Sequence, residues 1–305
     1  MLGVAAPVSA RRGAAPQYPA TIVEDFVMPE WLAAIKGQVA ASGNDGSRAL
    51  LAALQQDRVT FGRIKQIDGH VISVLPAPGV ELFAPDQARD MAMLVNDRLA
   101  GRATLTGNRI PAFATLSAFD PHVAREAERA IGKLHLSGLA LGANRGKRLD
   151  HRSLWDLFAF AQAASVPVYL PVSYAPGAGD RPYRALGAAG ILAGASLESA
   201  RHSQQLIFGG VLDAFPKLTV ILARLGEAAT YWHAELVETY AVRKAAGASL
   251  PQRSIDDYFE TNIRLTTADM ETALTIETCR QAAGEGGLFG SATCPPVQAW
   301  RSSIA

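Results

Sequence analysis

Three charged residues close apolar, strand-like runs in this chain: Asp25 in Ala20–Phe26, and Arg224 and Glu227 in Leu218–Glu227. Together they make an acid/base and cation set. A guanidinium is a permanent charge whose planar fork fits a carboxylate or an oxyanion. A carboxyl whose pKa is raised by burial can donate and accept protons near neutral pH. Hydroxyls end other runs: Ser173 and Tyr174, Thr266 and Thr267, then Ser291 and Thr293 with Cys294. Such residues cap and pack more often than they react. Cys294 has no evident histidine partner, which argues against nucleophilic catalysis. The histidines, His70, His122, His135, His151, His202 and His233, are scattered over a strand start, loops and helical patterns. They give no metal-ligand spacing, so no metal or other cofactor is expected from them.

The elements that must position these groups come in series. Strands are expected at Ala20–Phe26, His70–Ala77, Ile110–Ser117, Leu136–Ala143, Pro167–Ser173, Leu218–Leu225, Asn262–Ala268 and Gly287–Thr293. Several are continuously apolar, as strands covered on both faces are. Helical patterns lie between them. Pro85–Ala100 carries a 3.6-period apolar face, and Asp120-Pro121 reads as a helix cap with Pro in the first turn. Leu154–Ala164 and Leu197–Ala214 follow the same period, the latter stopped by Asp213-Ala-Phe-Pro216. A further helix runs from Thr267 or Ala268 to Ala283, ended by Gly284 and Gly286. Eight strand–helix units predict a parallel (β/α)8 TIM barrel, an α/β fold. A doubly wound sheet is the runner-up, but no Gly-x-Gly-x-x-Gly follows the first strand.

In a barrel, all the strand ends meet at one mouth. Trp31–Arg63 is expected as a helical insertion after strand one, and Ala175–Gly190 as a Gly/Pro-rich lid over the mouth. Residues 1–17 read as a mobile tail and 18–305 as a single domain. The chain ends ten residues after Pro295. The expectation is a distorted barrel without room for its last helix: either the sequence is cut short there or something else covers that face, a partner chain being one option.

Apolar residues make up 49% and charged residues 19% of the 305, enough for a large core. Net charge is +1 with no basic stripe, which argues against nucleic acid. The two cysteines, Cys279 and Cys294, make no disulfide framework, so a cytoplasmic location is expected. No apolar run reaches the ~18–20 residues that span a bilayer.

Several strings resemble the amidohydrolase-related family, which includes aminocarboxymuconate-semialdehyde and γ-resorcylate decarboxylases. They are Glu24–Glu30, Ala77–Val80, Val95-Asn-Asp97, Pro111–Leu116, Asn262–Thr267 and, most specifically, Leu206–Leu218. The resemblance runs from about Ala20 to Pro296. It implies a TIM barrel with a divalent ion, usually zinc or manganese, bound at the strand ends. The positions that match the family's ligands carry Val23 and Asp25 on strand one, Pro171 on strand five, Arg224 on strand six and Ala292 on strand eight. Only Asp25 among them is a donor. Glu227 matches a retained polar residue near the metal, and Asn144-Arg145-Gly146 matches a loop that contacts substrate in relatives.

Two functions follow. The first is a metal-independent lyase, decarboxylase-like, or a hydrolase, acting on a small carboxylated cyclic or aromatic compound. Arg224 replaces the metal as cation, with Glu227 and Asp25 as acid/base. Asn144, Arg145, Ser173, Tyr174, Thr267 and Ser291 then line the substrate. The second is a non-catalytic subunit that pairs with an active homologue, so the partner is a homodimer mate or a homologous subunit. In that case Arg224 simply pairs with Asp25 and Glu227 and fills the metal's volume. An ordinary metal-dependent decarboxylase needs ligands that these positions do not supply.

Overall fold

The computed structural model describes residues 21–26, 33, 36, 70–74, 83–105, 112–142, 147–171, 197, 200–226, 228–266, 273–284 and 287–293. Eight strands close a barrel in the order β1 to β8: Thr21–Phe26, His70–Val74, Ala112–Leu116, Gly138–Leu141, Val168–Leu170, Val220–Leu222, Ile263–Thr266 and Leu288–Thr293. Every neighbouring pair is parallel, including β8 against β1. The helices are α1 Pro85–Leu105, α2 Val123–Gly132, α3 Trp155–Ala164, α4 (residues 200–208), α5 Val211–Ala214, α6 Ala228–Tyr231, α7 His233–Ala245, α8 Ile255–Thr261 and α9 Ala273–Ala283.

Alternation along each strand separates two apolar layers. Residues such as Ala114, Leu139, Val168, Leu222 and Leu265 pack outward with Leu99, Ala127, Phe158, Ile207 and Phe259 of the helices. Each such Leu, Val or Phe, fully buried, is worth about 1.5–3 kcal/mol against exposure. The alternate residues Phe113, Ala140, Tyr169, Ile221 and Ala223 form a separate cluster inside the barrel. Phe113 and Tyr169 meet there with ring centroids 6.2 Å apart. Gly138 pairs with Phe113 in the ladder, and a Cβ at Gly138 would lie 2.6 Å from Phe113 Cδ1. Glycine at 138 is what lets a phenylalanine occupy the barrel interior.

Two polar clamps tie helices to the barrel. Asn96 of α1, fully buried, accepts the Thr115 N–H at 2.7 Å and donates to Thr115 O at 3.1 Å and Glu126 Oε1 at 2.8 Å. Arg129 closes that clamp with Nε on Glu126 Oε2 at 2.7 Å and Nη1 on Asp97 Oδ1 at 2.6 Å. The second clamp sits where β6 and β7 begin. Tyr258 Oη donates to Asp213 Oδ1 at 2.5 Å, and Gln252 N donates to Asp213 Oδ2 at 2.9 Å. Arg253 stacks on the Tyr258 ring at 4.3 Å and donates to Leu212 O and to Asn262 Oδ1. Asn262 in turn donates to Pro216 O and Leu218 O. Burial and the hydrogen bond to Asp213 push the Tyr258 hydroxyl up to about 12, so it stays a donor.

Several expected boundaries shift. The strand read over Leu218–Leu225 ends at Leu222, because residues 224–226 turn left-handed. The single helix read over Leu197–Ala214 breaks after 208, where Gly210 takes φ +74° and starts a separate short turn of helix. Asp120 does not start α2 directly: its Oδ1 accepts the His122 N–H at 2.9 Å and holds a turn that precedes the helix. Tyr231 and Trp232 are 56% and 37% exposed, beside an α7 whose buried residue is Tyr240. Most of the Trp31–Arg63 insertion, the Ala175–Gly190 lid, the tail and the residues after 293 lie outside the described residues. Ala33 and Lys36 of that insertion are helical and exposed.

Candidate active site at the C-terminal mouth

The upper end of the barrel is built from small residues. Ladder registers carry Thr115, Ala140, Tyr169, Ile221 and Arg264 round one level. Two residues further along each strand come Ser117, Gly142, Pro171, Ala223 and Thr266. Large side chains therefore plug the barrel below, while two hydroxyls and three small groups form the floor of the mouth. Ser117 and Thr266 are buried, and the Phe119 N–H donates to Ser117 Oγ at 3.3 Å.

The β6 exit is the most strained connection described. Arg224, Leu225 and Gly226 take φ of +49°, +57° and +66° in succession. Left-handed backbone costs a non-glycine residue roughly 1–2 kcal/mol, and such strain clusters at functional sites. Packing over-determines the turn. Leu225 is buried, and Cys279 Sγ lies 3.9 Å from Leu225 O. Burial pushes the Cys279 thiol up, so it is an inert packing group. The Arg224 N–H donates to Thr266 Oγ1 at 3.3 Å, which ties the turn to the end of β7. The strain thus lifts a half-buried arginine off strand alternation at the barrel mouth.

A second cation stands at the exits of β3 and β4. Lys147 donates from Nζ to Ala118 O at 2.6 Å and lies 6.0 Å from the Phe119 ring centroid. Burial holds its pKa below the usual lysine range, against the opposing pull of Asp120. Asp120 is 4% exposed. Sequence reasoning missed this pair. Asp120 registered only as a helix cap, and Lys147 was not singled out.

The family model described as Amidohydrolase matches residues 73–268. The chain belongs to the amidohydrolase family.

Among curated relatives, this amidohydrolase is 29% identical to a gamma-resorcylate decarboxylase of a Polaromonas species, over 88% of this chain and 85% of the relative. It is similar to 5-carboxyvanillate decarboxylase from Novosphingobium aromaticivorans, with TM-score 0.80 at 22% identity, covering 96% and 90% of the two chains. A 2,6-dihydroxybenzoate decarboxylase from Rhizobium gives TM-score 0.70 at 22% identity, covering 90% and 87%. These two share its TIM-barrel fold.

In this amidohydrolase barrel the expected site residues divide into three groups. Arg224 stands at the mouth, just past β6. Asp25 and Ser291 lie on β1 and β8, and the ladder sets Val23 beside Ala292 and Ile22 beside Ser291. Glu227, Asn144, Arg145, Ser173, Tyr174 and Thr267 lie outside the described residues. Among the described residues no group of three His, Cys, Asp or Glu could hold a metal ion. Among them, too, no helix is long and apolar enough to cross a membrane.

Proposed function

We propose that this amidohydrolase is a decarboxylase-like carbon–carbon lyase whose substrate is a small carboxylated aromatic, oriented by Arg224. The observation that carries the reading is the arginine on its strained left-handed turn beside Thr266. The named activities of its relatives supply the reaction class: they decarboxylate ring-bound acids. Ser117, Gly142, Pro171, Ala223 and Thr266 follow the level of Tyr169 on β3 to β7, where a ring would rest in this reading.

Glu227 or Asp25, in its acid form, delivers a proton to the ring carbon that bears the carboxylate. The carbon–carbon bond then breaks, its electron pair returns to the ring, and carbon dioxide leaves. Solvent reprotonates the acid. Arg224 holds the acid group or its neighbouring oxygen in register with that donor, which is a positioning effect. Asn144, Arg145, Ser173, Tyr174, Thr267 and Ser291 are the remaining substrate contacts in this reading.

The Novosphingobium relative is described as complexed with manganese. The side chains of Val23, Pro171 and Ala292 offer no donor to such an ion, Asp25 offers one carboxylate, and Arg224 is itself a cation. These residue types do not fit a bound divalent ion, and our reading routes no step through one.

The test is carbon dioxide release from a panel of 2-hydroxybenzoates by the full chain and by Arg224→Ala. The variant should lose roughly 10²–10³ in kcat, the range seen when one charge-stabilising donor is removed. Its melting temperature should hold. Full activity in the variant would sink the role of Arg224. Elemental mass spectrometry decides the metal question separately: about one equivalent per chain, with activity lost on chelation, would overturn the metal-free mechanism.

A further inference from the structure

We infer that Asn96 is a positioning residue of the mouth: its side-chain amide stands in for a β2 peptide beside Thr115 and so sets where β3 delivers Ser117. The inference rests on the reading of the mouth as the active site. The carbonyls of Ala112 and Leu116 accept from Ser137 N at 2.8 Å and Gly142 N at 3.0 Å, so these residues turn their peptide groups toward β4. Alternation along the strand then turns the peptide groups of Phe113 and Thr115 toward β2. The β2–β3 ladder sets Ser73 beside Phe113. One step further up, α1 takes both Thr115 groups. The N–H donates to Asn96 Oδ1 at 2.7 Å, and the C=O accepts from Asn96 Nδ2 at 3.1 Å. A primary amide offers the same kinds of acceptor and donor that a neighbouring strand would. A helix residue from the outer layer thus completes the seam where β3 runs up to the mouth.

The amide is held in one orientation. Flipped, its NH2 would face the Thr115 N–H, and its oxygen would face the oxygens of Thr115 and Glu126. Glu126 Oε1 accepts the second Nδ2 proton at 2.8 Å, and Arg129 grips Glu126 through Nε at 2.7 Å and Nη2 at 2.9 Å. Asn96 and Glu126 are both buried. A residue needed only to dock α1 could be apolar, as Ala92, Val95 and Leu99 of the same helix are. A buried polar network fixes one geometry instead. What that geometry controls is the β3 exit. Ser117 lies two residues past Thr115, on the same inward side as Phe113. Its Oγ accepts the Phe119 N–H at 3.3 Å, and its C=O accepts the Asp120 N–H at 3.2 Å, which closes the turn. Loosened from Asn96, the exit from Ser117 to Asp120 would shift as a unit against the floor of the mouth.

The experiment compares the full chain with Asn96→Asp and with the double change Asn96→Asp, Glu126→Gln. The single change keeps an acceptor for the Thr115 N–H, removes the donor to Thr115 O and sets two carboxyl groups together. The double change relieves that clash by supplying a donor at position 126. Amide exchange read by mass spectrometry follows residues 112–120, and carbon dioxide release from 2-hydroxybenzoates follows the mouth. Asn96→Asp should speed exchange over 115–120 roughly tenfold and leave 220–226 within about twofold. It should lower kcat roughly tenfold, with KM within about twofold. The double change should return protection and kcat together. Exchange that rises evenly over all strands, or a local rise with unchanged kcat, overturns the inference and leaves Asn96 as a brace for the barrel. A thermal scan checks that each variant is folded. Asn96→Ser replaces the charged variant where that one does not fold, with the same pattern expected. If wild type releases no carbon dioxide from any of these acids, the decarboxylase reading fails, and the exchange pattern alone decides the role of Asn96. Full activity in Arg224→Ala would sink the Arg224 reading and leave these outcomes untouched.

Discussion

Gly226→Ala tests whether the left-handed turn after β6 positions a working group. Gly226 has φ +66°, and a Cβ there would sit 3.2 Å from Leu265 Cδ2 and 3.4 Å from Leu222 Cδ1. The backbone cost of holding alanine in this region is roughly 1–2 kcal/mol. The 3.2 Å contact requires Leu265 or the turn to give by a few tenths of an ångström, so the sum is about 2 kcal/mol. At about 2 °C per kcal/mol for a chain of this size, the melting temperature should fall by roughly 4 °C. Gly247→Ala is the control: φ is +81°, with nothing within 4 Å of the added Cβ. It should cost only the backbone part, about 1 kcal/mol. If the turn rather than Leu265 moves, Arg224 moves with it. Misplacement by 1 Å costs about 10² in rate, so a few tenths should lower kcat roughly fivefold. Gly247→Ala should keep wild-type kcat. Denaturant unfolding and carbon dioxide release on the same preparations provide both readouts. A destabilised Gly226→Ala enzyme with unchanged kcat would refute the claim that this turn positions chemistry.

Three further outcomes are expected. Asp213→Ala removes the acceptor for Tyr258 Oη and Gln252 N, so the buried phenol O–H loses its acceptor while its oxygen still accepts the Arg253 N–H. It should cost about 3 kcal/mol in urea unfolding, with kcat of the folded enzyme unchanged. Gly138→Ala drives a methyl group into the Phe113 ring and should cost about 1–3 kcal/mol. Adding Phe113→Leu should return part of that loss, and strictly additive effects would refute the contact. His233 packs edge-on to Phe259 at 4.8 Å, and burial holds its pKa below 6.5 against the pull of Asp256. The unfolded chain therefore binds this proton more readily than the fold does. The stability it contributes is complete above pH 6.5 and is lost as pH falls through the lowered folded value. His233→Asn should flatten that part of a melting-temperature series, and an unchanged acid limb would contradict the assignment.

The barrel was legible because its signal is carried by many residues at once. Continuous runs such as Val168–Leu170 and Val220–Leu222 show buried strands, and the periods of Leu154–Ala164 and Pro85–Ala100 show the helices between them. What escaped depends on single backbone angles or on contacts between distant segments. The apolar run from Val220 to Leu225 reads as strand throughout, although Arg224 and Leu225 are left-handed; only Gly226 hinted at a turn. Gly209-Gly210 was visible inside a helical period that continues on both sides of it. Asp120 announces a cap, but its influence on Lys147 exists only because β3 and β4 are neighbours. Burial of one lysine among Arg145, Lys147 and Arg148 leaves no trace in composition.

The string most specific to the family, Leu206–Leu218, is structural for a reason the clamp makes plain. Asp213 fixes Tyr258 and Gln252, and through Arg253 and Asn262 the entry of β6 is tied to the entry of β7. Those bonds lie at the N-terminal end of the barrel. Arg224, Thr266, Ser117 and Lys147 lie at the other end. The Asp213 clamp and the mouth residues are thus separated by the full height of the strands, whereas the Asn96 clamp grips Thr115 near the upper end of β3. Residues at the mouth of β6 can change type without loosening the Asp213 clamp. The same separation is why loss of kcat in Arg224→Ala without loss of melting temperature is informative: the clamp that ties β6 to β7 is made by Asp213, Arg253, Tyr258 and Asn262, at the other end of the strands from Arg224.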